Sequence, residues 1–115
     1  MFIDWTAVRI FVHPGVTDLR KQINGLAAMA QGEMVQDPFS GSLYLFCNKT
    51  RKLLKALYWD RSGFCLWQKR LDRDRFPWPK TKEVSKEITT DQFRMVLEGI
   101  DFFNAHQKLS YTTVL

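Results

Sequence analysis

Cysteine is scarce in this 115-residue chain. Cys47 and Cys65 stand in unrelated surroundings, without CxxC spacing or a neighbouring histidine, so neither a zinc framework nor a disulfide scaffold is expected and a reduced, cytoplasmic setting fits. Long apolar runs are missing too. None approaches the roughly 20 residues that a membrane-spanning helix needs, and Asp4 stands in the N-terminal stretch where a secretory signal carries basic residues, so neither membrane insertion nor export is expected. With six glycines and four prolines there is no low-complexity tract, and no internal repeat is present. The familiar catalytic signatures are absent as well: no GxxxxGK[ST], GxGxxG, HExxH or GxSxG occurs. His13 falls in a predicted turn and His106 in the C-terminal stretch, both away from cysteine or acid clusters. No catalytic residue, metal ligand or cofactor is therefore assigned.

What is present is enough for a packed core. Hydrophobic residues make up 45%, aromatics 14% and charged residues 25%, far from the composition of disorder, and the length suits one domain. We expect that domain over residues 1–103, followed by a tail, 104–115, that shows no clear period.

Residues 7–12, β-branched and aromatic, read as a strand stopped by His13-Pro14-Gly15. Thr17 is placed to cap a helix reaching about Ala30, with Leu19, Ile23, Leu26 and Ala30 as its inner stripe and Gly32 as its stop. Gly25 within that helix suggests close approach of another backbone, or simple tolerance. Asp37-Pro38-Phe39-Ser40-Gly41 has turn chemistry and leads into a strand at 42–47. Two further apolar runs, 53–59 and 64–71, flank Asp60-Arg61-Ser62-Gly63 as a hairpin, although 64–71 is too short for its period to exclude a helix. Cys47 and Cys65 are expected as small buried residues on neighbouring strands. In Arg75-Phe76-Pro77-Trp78-Pro79 the two prolines hold the chain extended and Trp78 on a stiff arm. Thr89 and Gln92 have capping-box spacing, with Ile88 and Phe93 at staple positions, so a helix begins there with Phe93, Val96, Leu97 and Ile100 inward. The order predicts an α+β fold: a small, mostly antiparallel sheet, one helix after the first strand and one near the C-terminus.

Charge is distributed unevenly. The chain carries +5 overall, but the window 49–82 holds eleven basic residues against three acids (Asp60, Asp72, Asp74), while the remainder is net acidic. Such asymmetry predicts a positive surface suited to a phosphate backbone. The candidate nucleic-acid-binding residues are Lys49, Arg51, Lys52, Lys55, Arg61, Lys69, Arg70, Arg73 and Arg75, with Trp78 as the aromatic for stacking on an unpaired base. Six phosphate contacts on duplex DNA would give a slope of log affinity against log salt of about −5. The competing readings are core packing for the aromatics and a solvated basic face for the cations. The three acids of the window read as ion pairs and turn residues; a two-metal nuclease would need several acids to converge.

An ordered series of segments carries a resemblance: Gly15-Val16-Thr17-Asp18-Leu19-Arg20-Lys21, Asn24-Gly25-Leu26-Ala27, Asp37-Pro38-Phe39-Ser40-Gly41, Leu57-Tyr58-Trp59-Asp60, Gly63-Phe64-Cys65-Leu66, Lys69-Arg70-Leu71, Phe76-Pro77-Trp78-Pro79 and Leu97-Glu98-Gly99-Ile100-Asp101. From about Val8 to Phe103 the chain resembles the TnpB accessory proteins, products of the second open reading frame of the sixty-six family of bacterial insertion sequences, and not the much longer RNA-guided nuclease of the same name. The resemblance implies a gene product encoded between a helix-turn-helix protein and a DDE-type transposase, and a role in transposition. It supplies no catalytic residues, and Thr17, Asp18, Arg20, Lys21 and Gly25 belong to motifs whose role it leaves open. The expected partners are DNA at the element ends, the transposase and the helix-turn-helix protein, with a homodimer suited to two-fold ends. Two functions compete: a non-catalytic DNA-binding accessory factor, and an interaction subunit whose basic face meets an acidic protein partner instead of DNA.

Overall fold

The computed structural model describes residues 6–101 and 103; the expected tail at 104–115 lies outside the described residues. Strands β1 (Ile10–Val12), β2 (Leu43–Cys47), β3 (Leu53–Asp60), β4 (Gly63–Arg70) and β5 (Lys86–Ile88) form one sheet in the order β4-β3-β2-β1-β5. Helix α1 (Ile23–Gly32) lies between β1 and β2 in sequence, and α2 (Thr90–Leu97) follows β5. Three of the four strand pairings are antiparallel; β1 and β2 run parallel, joined through α1. This is the α+β architecture expected from the sequence.

The period of two along each strand divides the core between the two faces of the sheet. On one face Val12, Leu45, Ala56 and Tyr58 pack with Phe76, Trp78 and the α2 residues Phe93 and Val96. On the other, Phe11, Tyr44, Phe46 and Leu57 pack with Leu26, Met29 and Ala30 of α1. With both faces covered, every residue of β2 is buried, which explains its unbroken apolar sequence LYLFC.

Several local signals act as read. Asp37 accepts the Ser40 N–H at its carbonyl and the Phe39 N–H at its side chain, closing the 37–41 turn. The hairpin forms with Asp60 opposite Gly63, leaving Arg61 and Ser62 as its two-residue loop. Both halves of the Thr89/Gln92 capping box are made. Other expectations change. The first strand is shorter than 7–12. Ile100 lies beyond the end of α2 and is exposed, not inward. Cys47 and Cys65 are separated by β3 rather than lying on neighbouring strands, and Cys65 is half-buried.

The largest change concerns α1. It begins at Ile23, not after Thr17, and Gln22 at its N-cap supplies no side-chain bond. A helix running from Thr17 would bond the Leu19 and Lys21 carbonyls to amides four residues on. Those carbonyls instead accept hydrogen bonds from the Lys55 ammonium, at 2.8 and 3.2 Å. Asp18 closes only a single turn, its carboxylate taking the Arg20 N–H and its carbonyl the Lys21 N–H. The close approach at Gly25 is that of the Lys21 side chain: a β-carbon on Gly25 would come within 3.2 Å of Lys21 Cβ.

Candidate nucleic-acid interface

Three chain segments meet at one end of the sheet. The first is the β2–β3 connection, organised by the Asn48 side chain, whose Oδ1 accepts the Lys52 and Leu53 amides at 3.1 Å each and the Thr50 hydroxyl at 3.3 Å. This turns Lys49, Thr50 and Lys52 outward and puts Arg51 at a positive φ of 60°. The second leaves β4. Its Leu71 N–H bonds the Lys52 carbonyl and its Phe76 N–H the Arg51 carbonyl, at 2.8 and 2.7 Å, so the exposed stretch Asp72-Arg73-Asp74-Arg75 lies against the first loop. The third, residues 13–21, is tied to the same end because the Thr17 N–H donates to the carbonyl of Cys47 (2.7 Å), the last residue of β2.

Segments one and three enclose an open cleft of about 570 Å³, whose lining includes Val16, Asp18, Arg20, Lys49, Thr50 and Leu53. Asp18 and Arg20, both in the lining contributed by the third segment, are paired with each other, the guanidinium Nε lying 3.0 Å from both carboxylate oxygens. The hydrogen bonds from Arg20 hold the Asp18 carboxyl well below the usual carboxylate range and raise the Arg20 guanidinium in turn. The acid that partners Arg20 is thus intramolecular, two residues before it in the chain.

Of the residues predicted from sequence, Lys49, Lys52, Arg70, Arg73 and Arg75 gather here as exposed cations, with Arg51 half-buried among them. Arg20, whose sequence signal was only a pair of adjacent cations, joins the same end, whereas exposed Lys21 lies with Gly25 and Leu66 beside the start of α1. Exposed Lys80 extends it, because the preceding Pro79 accepts the Gly15 N–H at 2.9 Å. Arg61 does not belong: it sits at the hairpin loop, about 24 Å away along an eight-residue strand.

Two candidates are withdrawn from any surface. Lys55 is 3% exposed and bonded to carbonyls, as described above. Trp78 is 8% exposed, and its Nε1–H donates to the carbonyls of both His13 and Gly15 at 2.9 Å; the stiff arm points into the core, so base stacking by Trp78 is excluded by its packing. Lys69 is half-buried and its ammonium donates to the Leu97 carbonyl at 3.0 Å, closing the C-terminal end of α2, where a cation also suits the helix dipole. Thr17 is buried, its hydroxyl 3.5 Å from His13 Nδ1, and His13 in turn lies 3.5 Å from Glu33. Among the described residues, no group of three or more His, Cys, Asp or Glu could hold a metal ion, and no helix is long and apolar enough to cross a membrane.

Fold and site together define a small α+β protein whose cations collect at one end of a five-stranded sheet. Comparison with known proteins gives the family. The model of the family described as IS66 Orf2 like protein matches residues 8–107, and the chain belongs to that family. Membership associates it with insertion sequences, as an accessory protein of such elements. Among curated proteins it is similar to the uncharacterized protein y4hO of Sinorhizobium fredii (strain NBRC 101917 / NGR234), 37% identical over 95 residues covering 83% of each chain. It is also similar to the uncharacterized protein y4jC of the same strain, 30% identical over 101 residues covering 88% of this chain and 86% of that one. No solved structure matches the chain.

Proposed function

We propose that this protein is a non-catalytic accessory factor of transposition that holds DNA at the basic end of its sheet and so assists the element's DDE-type transposase. The observation that carries the reading is the gathering of Lys49 and Lys52 from the β2–β3 loop, Arg70 from the end of β4, and Arg73 and Arg75 from the stretch that follows it onto one exposed end, where main-chain hydrogen bonds fix these segments relative to each other. Cations held in that way neutralise phosphates and release condensed counterions, giving affinity without base-specific contacts. Five such contacts correspond to a slope of log affinity against log salt of about −4 to −5.

The test is fluorescence anisotropy with a labelled duplex of the element's terminal repeat and a scrambled duplex of equal length, at several salt concentrations. Salt-steep binding, lost when Arg70 and Arg73 are both changed to Glu, supports the reading; preference for the repeat adds specificity for the element ends. Absence of binding to either duplex at moderate salt refutes it and leaves the basic end to answer an acidic surface of the transposase or the helix-turn-helix protein.

A further inference from the structure

Strand β4 is an edge of the sheet, and among the described residues nothing pairs with its outer side. Its eight residues pair with β3 in unbroken register, without a bulge, and Phe64–Arg70 contains neither proline nor glycine. Sheet edges of this kind associate unless blunted by short length, bulges, proline or charge. The other edge, β5, is blunted by its length of three residues. On β4 the only charges are the last two residues, Lys69 and Arg70.

The hydrogen-bond parity identifies which groups are unused. Leu71 donates to the Lys52 carbonyl, so residues 71, 69, 67, 65 and 63 face β3, and alternation leaves the main-chain groups of Phe64, Leu66, Gln68 and Arg70 directed outward. The side chains there divide the strand: Phe64, Cys65, Leu66 and Trp67 form an uncharged, half-buried first half, and Gln68, Lys69 and Arg70 a polar, basic second half.

We propose that this edge pairs with the β4 edge of a second copy, antiparallel about a two-fold axis near Leu66 and Trp67. Antiparallel self-pairing is the arrangement in which the basic half of one strand lies beside the apolar half of the other, so that no like charges stand opposite each other and Arg70 meets the aromatic end of its partner. A parallel pair would align the two basic halves. The interface is isologous and closes at two copies, as an exposed edge used up on both sides must. It joins two five-stranded sheets into one of ten strands with the two basic ends at opposite extremities. Arg70 is shared with the basic end, whereas Leu66 and Gln68 lie outside it and so separate dimerisation from DNA binding.

Sedimentation velocity over a range of concentrations under reducing conditions, which exclude linkage through Cys65, tests it together with amide hydrogen exchange. Wild-type protein is expected to pass from 13.6 kDa to twice that mass, with slowed exchange at Leu66 and Gln68 and unchanged exchange at Cys65 and Trp67. Gln68→Pro removes one outward donor per strand without touching the β3 ladder and should weaken dimerisation by about thirtyfold, from two lost hydrogen bonds per dimer. Leu66→Lys, with folding checked by circular dichroism, should do at least as much. A protein that stays monomeric throughout, or a dimer whose Leu66 and Gln68 amides gain no protection, overturns the proposal; binding of an acidic peptide to the edge of such a monomer would identify the alternative occupant.

Discussion

Lys55→Met isolates the contact that shapes the 17–22 segment. Methionine fills much the same space as the lysine stem, so packing beneath α1 is largely kept while the ammonium disappears. Two carbonyls lose their donor. That of Leu19 is buried against Lys55, at 2.8 Å, whereas the contact to the Lys21 carbonyl is only partly buried and water can replace it. A buried acceptor left unmatched costs about 1–3 kcal/mol, and the lost bond was charge-assisted, so we expect destabilisation of about 2–4 kcal/mol. For a domain of this size that is a fall in Tm of about 10–25 °C. Urea denaturation of the wild type and the variant, at equal m-value, measures it. The segment carrying Asp18 and Arg20 should also lose amide protection before the rest of the domain. A loss below about 0.5 kcal/mol would show that solvent serves the Leu19 carbonyl, and would refute the reasoning that Lys55 sets where α1 begins.

Three further outcomes can be checked separately. Trp78→Phe keeps most of the ring and removes the donor shared by His13 and Gly15; it should cost about 1–3 kcal/mol in denaturation while leaving the salt slope of any DNA binding unchanged. The Asp18 carboxyl, depressed by hydrogen bonds from Arg20, should stay ionised in the folded protein at pH values where ordinary aspartates protonate. Its stabilising effect is therefore present at neutral pH and lost as acid passes through the lowered folded-state value; carboxyl NMR should show this, and Arg20→Ala should return the titration towards the ordinary range. Burial pushes the Cys47 thiol up to about 12, so a thiol reagent at mildly alkaline pH should modify half-buried Cys65 and spare Cys47 until the protein unfolds, as mass spectrometry of the two peptides would show.

The elements legible in the sequence are those whose signal is local. Asp60-Arg61-Ser62-Gly63 between two apolar runs yields the β3–β4 hairpin, Asp37-Pro38 yields a turn, and Thr89 with Gln92 yields a capped α2, because each depends on atoms a few residues apart. The charge asymmetry is equally legible, and most of the cations it singles out meet at one end, while Lys55, Arg61 and Lys69 do not. What sequence could not separate was the fate of individual members of that set. Lys49 and Lys55 are the same residue type in the same basic window. One lies on an exposed loop and the other on the α1 face of a central strand, and only the packing of residues 19–21 over β3 makes that difference.

By itself, then, the sequence determined the hairpin, the cap of α2, the turn at 37–41 and the excess of positive charge between 49 and 82, all consequences of composition, periodicity and short-range hydrogen bonding. The tertiary structure alone decided that β1 and β2 run parallel, that α1 starts at Ile23, that Trp78 and Lys55 are spent on main-chain carbonyls, and that Arg20 stands beside Lys49. Each of those outcomes depends on groups more than a dozen residues apart, on which neither spacing nor propensity carries information.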